Sequence, residues 1–178
     1  VPMSVLTEKD DDRLFQLFDR MKRQVIGQDR ALSKIVDSIR VRSAGLGDMS
    51  KPLSFLLAGT PGVGKTETAK ALATNYFGDD RQLIRFDMSE FKFAKQSMAR
   101  FAERVAEAVK FHPYSVLLLD EIEKADPMVL DLLLQILDDG RLTNERGQTI
   151  NFKDLIVIMT TNIGHQLIIE RAAKSEAY

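Results

Sequence analysis

Gly59-Thr60-Pro61-Gly62-Val63-Gly64-Lys65-Thr66 has the spacing G-x-x-x-x-G-K-T/S. Glycines there let backbone N–H groups converge on phosphate oxygens with no Cβ in the way. Lys65 is placed to reach the β- and γ-phosphates, and the Thr66 hydroxyl to ligate Mg²⁺. Asp120-Glu121 closes the apolar run Val116-Leu117-Leu118-Leu119. An acidic pair at that point can hold Mg²⁺ through water (Asp120) and orient and deprotonate an attacking water (Glu121). Thr160-Thr161-Asn162 closes a further apolar run, Leu155–Met159, and Asn162 can donate to a γ-phosphate or position the water. Each has a plain alternative: a glycine turn without a ligand, an N-cap pair before Ile122-Glu123-Lys124, an Asn in a strand-end turn. Together they complete one Mg·nucleotide site, and the chemistry is transfer of a phosphoryl group to water.

The elements that must position these residues follow from pattern. Phe55-Leu56-Leu57-Ala58 reads as a buried strand, and Glu67-Thr68-Ala69-Lys70-Ala71-Leu72-Ala73 as a helix whose start brings its positive dipole end to the glycine loop. Residues 1–7 read as a linker or entering strand, with Thr7 as N-cap of a helix bearing Leu14, Leu17, Phe18 and Met21 on one face. Val25-Ile26-Gly27-Gln28 interrupts, and a second helix, basic on its outer side, spans about Asp29 to Ala44. Leu83–Phe86 and Val116–Leu119 are further strands, and residues 91–101 have no clear assignment before a helix from Ala102 to Phe111. Asp126-Pro127 starts a helix, Met128–Leu137, that is apolar almost all round and is expected to be deeply buried. Arg141–Thr143 and Thr149–Phe152 form a hairpin about Asn144–Gly147, and the tail from Ile163 to Tyr178 reads as loop and helix. The fold class is α/β, a parallel P-loop sheet flanked by helices. Residues 1–50 supply linker and helices, and 51–178 the core of the same domain.

The chain has 178 residues, enough for one domain with a real core. A net charge of −1 gives no electrostatic case for nucleic acid or an anionic membrane. No apolar run approaches membrane-spanning length. The absence of cysteine excludes disulfides, thiolate zinc sites and a cysteine nucleophile, and fits a reducing, cytoplasmic setting. His112 and His165 share no metal-ligand spacing and read as surface residues. Val1 in place of an initiating Met suggests a piece of a longer chain.

The glycine loop, Leu117–Ala125, Leu133–Thr143 and Met159–Asn162 together resemble the second AAA+ module of the Clp unfoldases, the ClpB-, ClpL- and ClpC-like group. Val25–Gln28 and Phe86–Glu90 are similar to that family too, and the likeness runs from about Val1 to Arg171. It implies ATP or ADP with Mg²⁺ as cofactors and identical subunits in a ring, expected to be a hexamer. It also implies unfolded or aggregated polypeptide clients threaded through a central pore, and a role in the stress response. By the same resemblance Val25 and Ile26 contact adenine, residues 60–66 cradle the phosphates, and Asn162 is the sensor at the strand end.

Three departures stand out. The family carries an aromatic pore-loop segment of the Gly-Tyr-Val-Gly kind, whereas here Met98-Ala99-Arg100-Phe101 runs straight into Ala102-Glu103. Omission of a mobile segment is favoured over removal or natural lack. The family's arginine finger lies beyond Asn162 in a segment not reached, and the helical lid with the second sensor is missing; Arg171 is not in a matching context. An arginine supplied in trans is worth about 10³–10⁵ in rate, so the fragment is expected to bind nucleotide weakly and hydrolyse it slowly if at all. Ile163-Gly164 is followed by His165 and lies too close to Asn162 to match the peptidase-docking tripeptide, which leans toward a ClpB-like or ClpL-like disaggregase. Competing readings are a non-hydrolysing nucleotide-dependent scaffold, which has little use for Glu121, and a DNA-directed AAA+ ATPase, which the charge disfavours.

Overall fold

The computed structural model describes residues 8–60 and 64–163. Two helices come first, α1 (Glu8–Gln24) and α2 (Asp29–Ser43). Then follow β1 (Leu53–Ala58), α3 (Lys65–Asn75), β2 (Leu83–Asp87), α4 (Ala94–Phe111) and β3 (Val116–Asp120). α5 (Pro127–Asp139), the hairpin strands β4 (Arg141–Thr143) and β5 (Thr149–Asn151), and β6 (Ile156–Thr161) complete the described chain. The four long strands lie in the order β1-β6-β3-β2, and every neighbouring pair is parallel. All four C-terminal ends therefore meet one edge, the edge at which open α/β sheets bind ligands.

β3 shows why the sheet is covered on both faces. It is buried at all five positions, and successive side chains point to opposite sides. Val116 and Leu118 join Leu57, Ile156 and Ile158 beneath α1, α2 and α3, where Leu17, Leu32 and Leu72 are also buried. Leu117 and Leu119 join Val157 on the other face, with Phe101 and Val105 of α4 and Leu133 of α5.

α4 begins eight residues before the expected Ala102, because residues 91–101 carry its buried stripe. Ser97, Phe101, Val105 and Val109 follow one another at a spacing of four, all buried. The Ser97 hydroxyl accepts the Phe93 N–H at 3.3 Å. Phe101 packs edge-on to Phe86 and Phe91, with ring centroids 5.9 and 5.3 Å away. The Phe101–Ala102 junction thus lies inside a continuous helix, with the stripe in phase on both sides.

The expected deep burial of α5 is corrected. Val129, Leu133 and Ile136 are buried, but Met128 is 47% and Leu134 57% exposed. The helix covers the sheet with one face and nothing among the described residues covers the other. Its start is as expected: Asp126 accepts the Met128 N–H at 2.9 Å, with Pro127 in the first turn.

At the opposite edge from the strand C-termini, Arg42 is 6% exposed. One of its terminal nitrogens donates to the carbonyls of Met49 (3.3 Å), Lys51 (2.5 Å) and Lys153 (3.1 Å), tying α2 to the chain entering β1 and to the turn before β6.

Candidate active site

Gly64 closes the glycine loop in the left-handed region, φ +85°, and supplies no side-chain cap for α3. First-turn N–H groups of α3 are thereby left for an anion. Lys65 opens α3 and is 8% exposed. Its Nζ donates to the Gly59 carbonyl at 2.7 Å, the Thr161 carbonyl at 3.0 Å and Asn162 Oδ1 at 2.7 Å. Burial pushes the Lys65 ammonium below its ordinary value, while the negative charges of Glu123, Asp120 and Glu121 oppose that shift.

Asp120, at the end of β3, is 7% exposed and has donors on both oxygens. Oδ1 accepts the Thr160 hydroxyl at 3.0 Å and faces the Thr66 hydroxyl at 3.5 Å, while Oδ2 accepts Arg85 Nε at 2.9 Å. Thr160 Oγ1 also accepts the Glu121 N–H at 3.0 Å, so one hydroxyl on β6 orders both acids. Glu121 stands at φ 57°, ψ 56°, and is the one non-glycine residue with positive φ among the described residues. Such a conformation costs about 1–2 kcal/mol in an L-residue and persists where the surroundings enforce it. Glu121 Oε2 lies 2.8 Å from Lys124 Nζ, and Oε1 accepts Asn162 Nδ2 at 3.3 Å. Glu123 Oε1 accepts the Asn162 backbone N–H at 3.2 Å, whereas its buried Oε2 has no partner among the described residues. Burial raises the Glu123 carboxyl, but backbone N–H groups of Glu123 and Asn162, the Thr161 hydroxyl and Lys124 together bring it below its ordinary value.

The structure therefore brings Lys65, Thr66, Asp120, Glu121 and Asn162 into one connected net across β1, β6 and β3. Thr60, the second residue of the glycine loop, is exposed. Val25 is buried beside the loop's exit: its Cγ1 is 3.5 Å from where a Cβ on Gly64 would stand, and the Ile26 carbonyl oxygen 3.7 Å. The Ile26 side chain is 89% exposed. Pro61, Gly62 and Val63 lie outside the described residues, as do Thr7, His165, Arg171 and the expected helix of the tail. His112 is exposed at the end of α4, as expected.

Thr160, Glu123, Lys124 and Arg85 belong to the net and were not expected in it. Arg85 left a weak signal, a charge alternating with the apolar Ile84 and Phe86 of β2, a pattern that a half-exposed edge strand also gives. Thr160 left none that separates it from Thr161. As for a metal, one nearly buried carboxylate beside one hydroxyl is a hard-oxygen donor set. It is too small for an all-protein cage, and suits a Mg²⁺ held mainly by water and phosphate oxygens.

The sequence profile described as AAA domain (Cdc48 subfamily) matches residues 50–178. The chaperone protein ClpB of Aquifex aeolicus is 46% identical over 182 residues, covering 95% of this chain and 18% of that protein. ClpB of Leptolyngbya boryana is 44% identical over 191 residues, covering all of this chain and 22% of the relative. The ATP-dependent Clp protease ATP-binding subunit ClpE of Lactococcus lactis is 47% identical over 177 residues, covering 92% of the chain and 24% of that protein. Among solved structures, a closed-state cryo-EM reconstruction of Hsp104 with ATPγS and FITC casein superposes with a TM-score of 0.85 at 37% identity. It covers 96% of this chain and 31% of that one. The chain spans about a fifth of the length of the curated relatives it matches. With a parallel sheet whose C-terminal edge gathers Lys65, Asp120 and Asn162, and with the profile matched over most of its length, the chain belongs to the AAA domain family (Cdc48 subfamily) and carries that family's nucleotide-binding ATPase core.

Proposed function

We propose that this chain is the ATP-binding and ATP-hydrolysing module of a ring-forming, cytoplasmic chaperone that remodels or disaggregates polypeptides. Identical subunits, six in number, would form the ring, and unfolded or aggregated proteins would be its clients. The observation that carries the reading is the net joining Lys65, Asn162, Glu121, Asp120 and Thr66 at one sheet edge. Mg²⁺, when bound, would supply charge neutralisation on the β- and γ-phosphates. Thr66 and Asp120 would hold it, Asp120 through water. Residues 60–66 would cradle the phosphates, with Lys65 as their cation. Val25 and Ile26, at the loop's exit, would border the adenine. Glu121 would take the proton of the attacking water, and Asn162 would orient that water. Similarity to ClpB proteins and to an Hsp104 structure supports the chaperone class over a passive scaffold or a DNA-directed ATPase.

The test is nucleotide binding and ATP turnover by the chain, wild type and Lys65→Ala. Binding of ATP and ADP that Lys65→Ala abolishes supports the site. Undiminished binding in that variant refutes it, and DNA-stimulated turnover would favour the alternative ATPase class.

A further inference from the structure

We propose that Arg85 is a positioning residue for the metal-holding carboxylate: it fixes Asp120 so that Oδ1, and not Oδ2, faces Thr66. This rests on the reading above in which Asp120 and Thr66 hold Mg²⁺. Arg85 sits in the middle of β2, in register with Leu118 of β3, two residues before Asp120. Its neighbours Ile84 and Phe86 are buried, so a charge at this position has no part in the hydrophobic core. Its guanidinium instead spans to the next strand. Nε donates to Asp120 Oδ2 at 2.9 Å, and a terminal nitrogen lies 2.8 Å from the same oxygen.

Three features make this more than a surface ion pair. The Asp120 side chain is 10% exposed while that of Arg85 is 54% exposed, so the buried partner is the one whose charge needs compensation. The other cations of the site are directed elsewhere: Lys65 donates to Gly59, Thr161 and Asn162, and Lys124 to Glu121. Finally, an aspartate carboxylate turns readily about its last bond, and both of its oxygens are otherwise equivalent. Two donors on Oδ2 from one side and the Thr160 hydroxyl on Oδ1 from the other remove that freedom. The oxygen left beside Thr66 is then always the same one, and Arg85 touches neither the phosphates' loop nor the water-activating Glu121 in any described contact.

The experiment is a Mg²⁺ titration of the binding of a fluorescent ADP analogue to the full chain, together with the affinity in EDTA, for the wild type, Arg85→Gln and Arg85→Lys. Outer-shell partners of metal ligands typically affect metal affinity about 10- to 100-fold. Asp120, holding the metal through water, is itself such a partner and Arg85 acts through it, so the half-saturating Mg²⁺ concentration of Arg85→Gln should rise by the lower end of that range, about 10-fold. Affinity in EDTA should be unchanged, and Arg85→Lys should recover part of the loss. Because Arg85→Gln leaves the nearly buried Asp120 carboxylate without its counter-charge, that variant should melt below the wild type and Arg85→Lys closer to it, so affinities are compared well below both melting temperatures. An unchanged Mg²⁺ midpoint overturns the proposal. So does a lowered midpoint, which would make Arg85 a competitor of the metal, and so does an equal loss in EDTA, which would make it a packing residue. A wild-type chain that binds the analogue with no Mg²⁺ dependence would instead overturn the assignment of Asp120 and Thr66.

Discussion

Lys65 Nζ lies 2.7 Å from Asn162 Oδ1, joining the first turn of α3 to the end of β6 across 97 residues of chain. The amide nitrogen of the same Asn162 donates to Glu121 Oε1 at 3.3 Å. Asn162 is therefore the link between the cation of the glycine loop and the acid that follows β3. Its amide can report on both while holding neither the phosphates nor the metal by itself. Asn162→Ala should leave nucleotide affinity near wild type, because Lys65 keeps the Gly59 and Thr161 carbonyls as partners. Turnover should fall about 10²–10³-fold, the usual loss for one oriented donor at a reacting centre. Binding and steady-state ATPase assays of the full protein separate the two quantities. A parallel loss of both would show that Asn162 serves the loop and not the reaction.

Glu121 is held in a conformation that few L-residues adopt, and its carboxylate is gripped from two sides by Lys124 and Asn162. Glu121→Gln keeps the size and most of the hydrogen bonding but cannot accept a proton from water. Binding should survive, and turnover in the full protein should drop by about 10²-fold or more, the range of general base catalysis. Unchanged turnover would refute the assigned base and favour a nucleotide-dependent scaffold.

Much of this site was legible in the sequence because its parts are local. The glycine loop is continuous, Asp120-Glu121 follows four apolar residues, and Asn162 ends another apolar run. What could not be read was who holds those residues. Thr160 and Arg85 act across strands, and strand order is set by packing over long separations that no local pattern records. α4 shows a different limit. Phe91, Phe93, Ser97 and Phe101 gave no clean period on their own, and the helix phase emerges from the aromatic cluster with Phe86. α5 misled in the other direction, since an almost wholly apolar helix implies burial on every side while one face here is open.

Thr160 is the residue on which both acids depend. Its hydroxyl donates to Asp120 Oδ1 and accepts from the Glu121 N–H, both at 3.0 Å, and the residue is 3% exposed. Thr160→Val preserves shape but leaves Asp120 Oδ1 with only the long 3.5 Å contact to the Thr66 hydroxyl and strands the Glu121 amide hydrogen. The expected destabilisation is about 2 kcal/mol, the desolvation cost of unpaired buried groups. Thr160→Ser restores the hydroxyl and most of that loss. Urea denaturation of the pair measures it, and equal stability of the Val and Ser variants would show the bridge to be unimportant.

Two carboxylates should mark the acid limb of stability. The Ser89 hydroxyl and then its N–H hold Asp87 below its ordinary 3.8. Glu123 falls below its ordinary 4.5: burial raises it, but the N–H donors of Glu123 and Asn162 and the other groups beside it lower it by more. In both, the unfolded chain binds more protons between the folded and ordinary values, so stability falls as the solution is acidified. The contribution is fully present above the ordinary values and is lost as pH drops through the folded ones. Asp87→Asn and Glu123→Gln should each flatten the acid side of the stability curve while leaving its neutral plateau shape intact. An acid limb identical to wild type in both variants would assign acid lability to other groups.

Gly140 tests the far edge of the sheet independently of the site. It ends α5 at φ +68°, and its N–H donates to the Ile136 carbonyl at 2.8 Å while its carbonyl accepts the Phe152 N–H at 2.8 Å. A side chain here meets two penalties. The left-handed conformation costs a non-glycine residue about 1–2 kcal/mol. A Cβ would also collide with the Ser50 carbonyl, which belongs to the segment whose neighbours Met49 and Lys51 accept Arg42. That segment cannot retreat without disturbing the Arg42 contacts, so the collision adds to the backbone term. Gly140→Ala should therefore lower unfolding stability by about 2 kcal/mol or more. Nucleotide affinity of the folded fraction should not change, because Gly140 packs where β1 begins and the site lies where it ends. A loss of affinity with stability intact would mean that the two edges are coupled through the sheet.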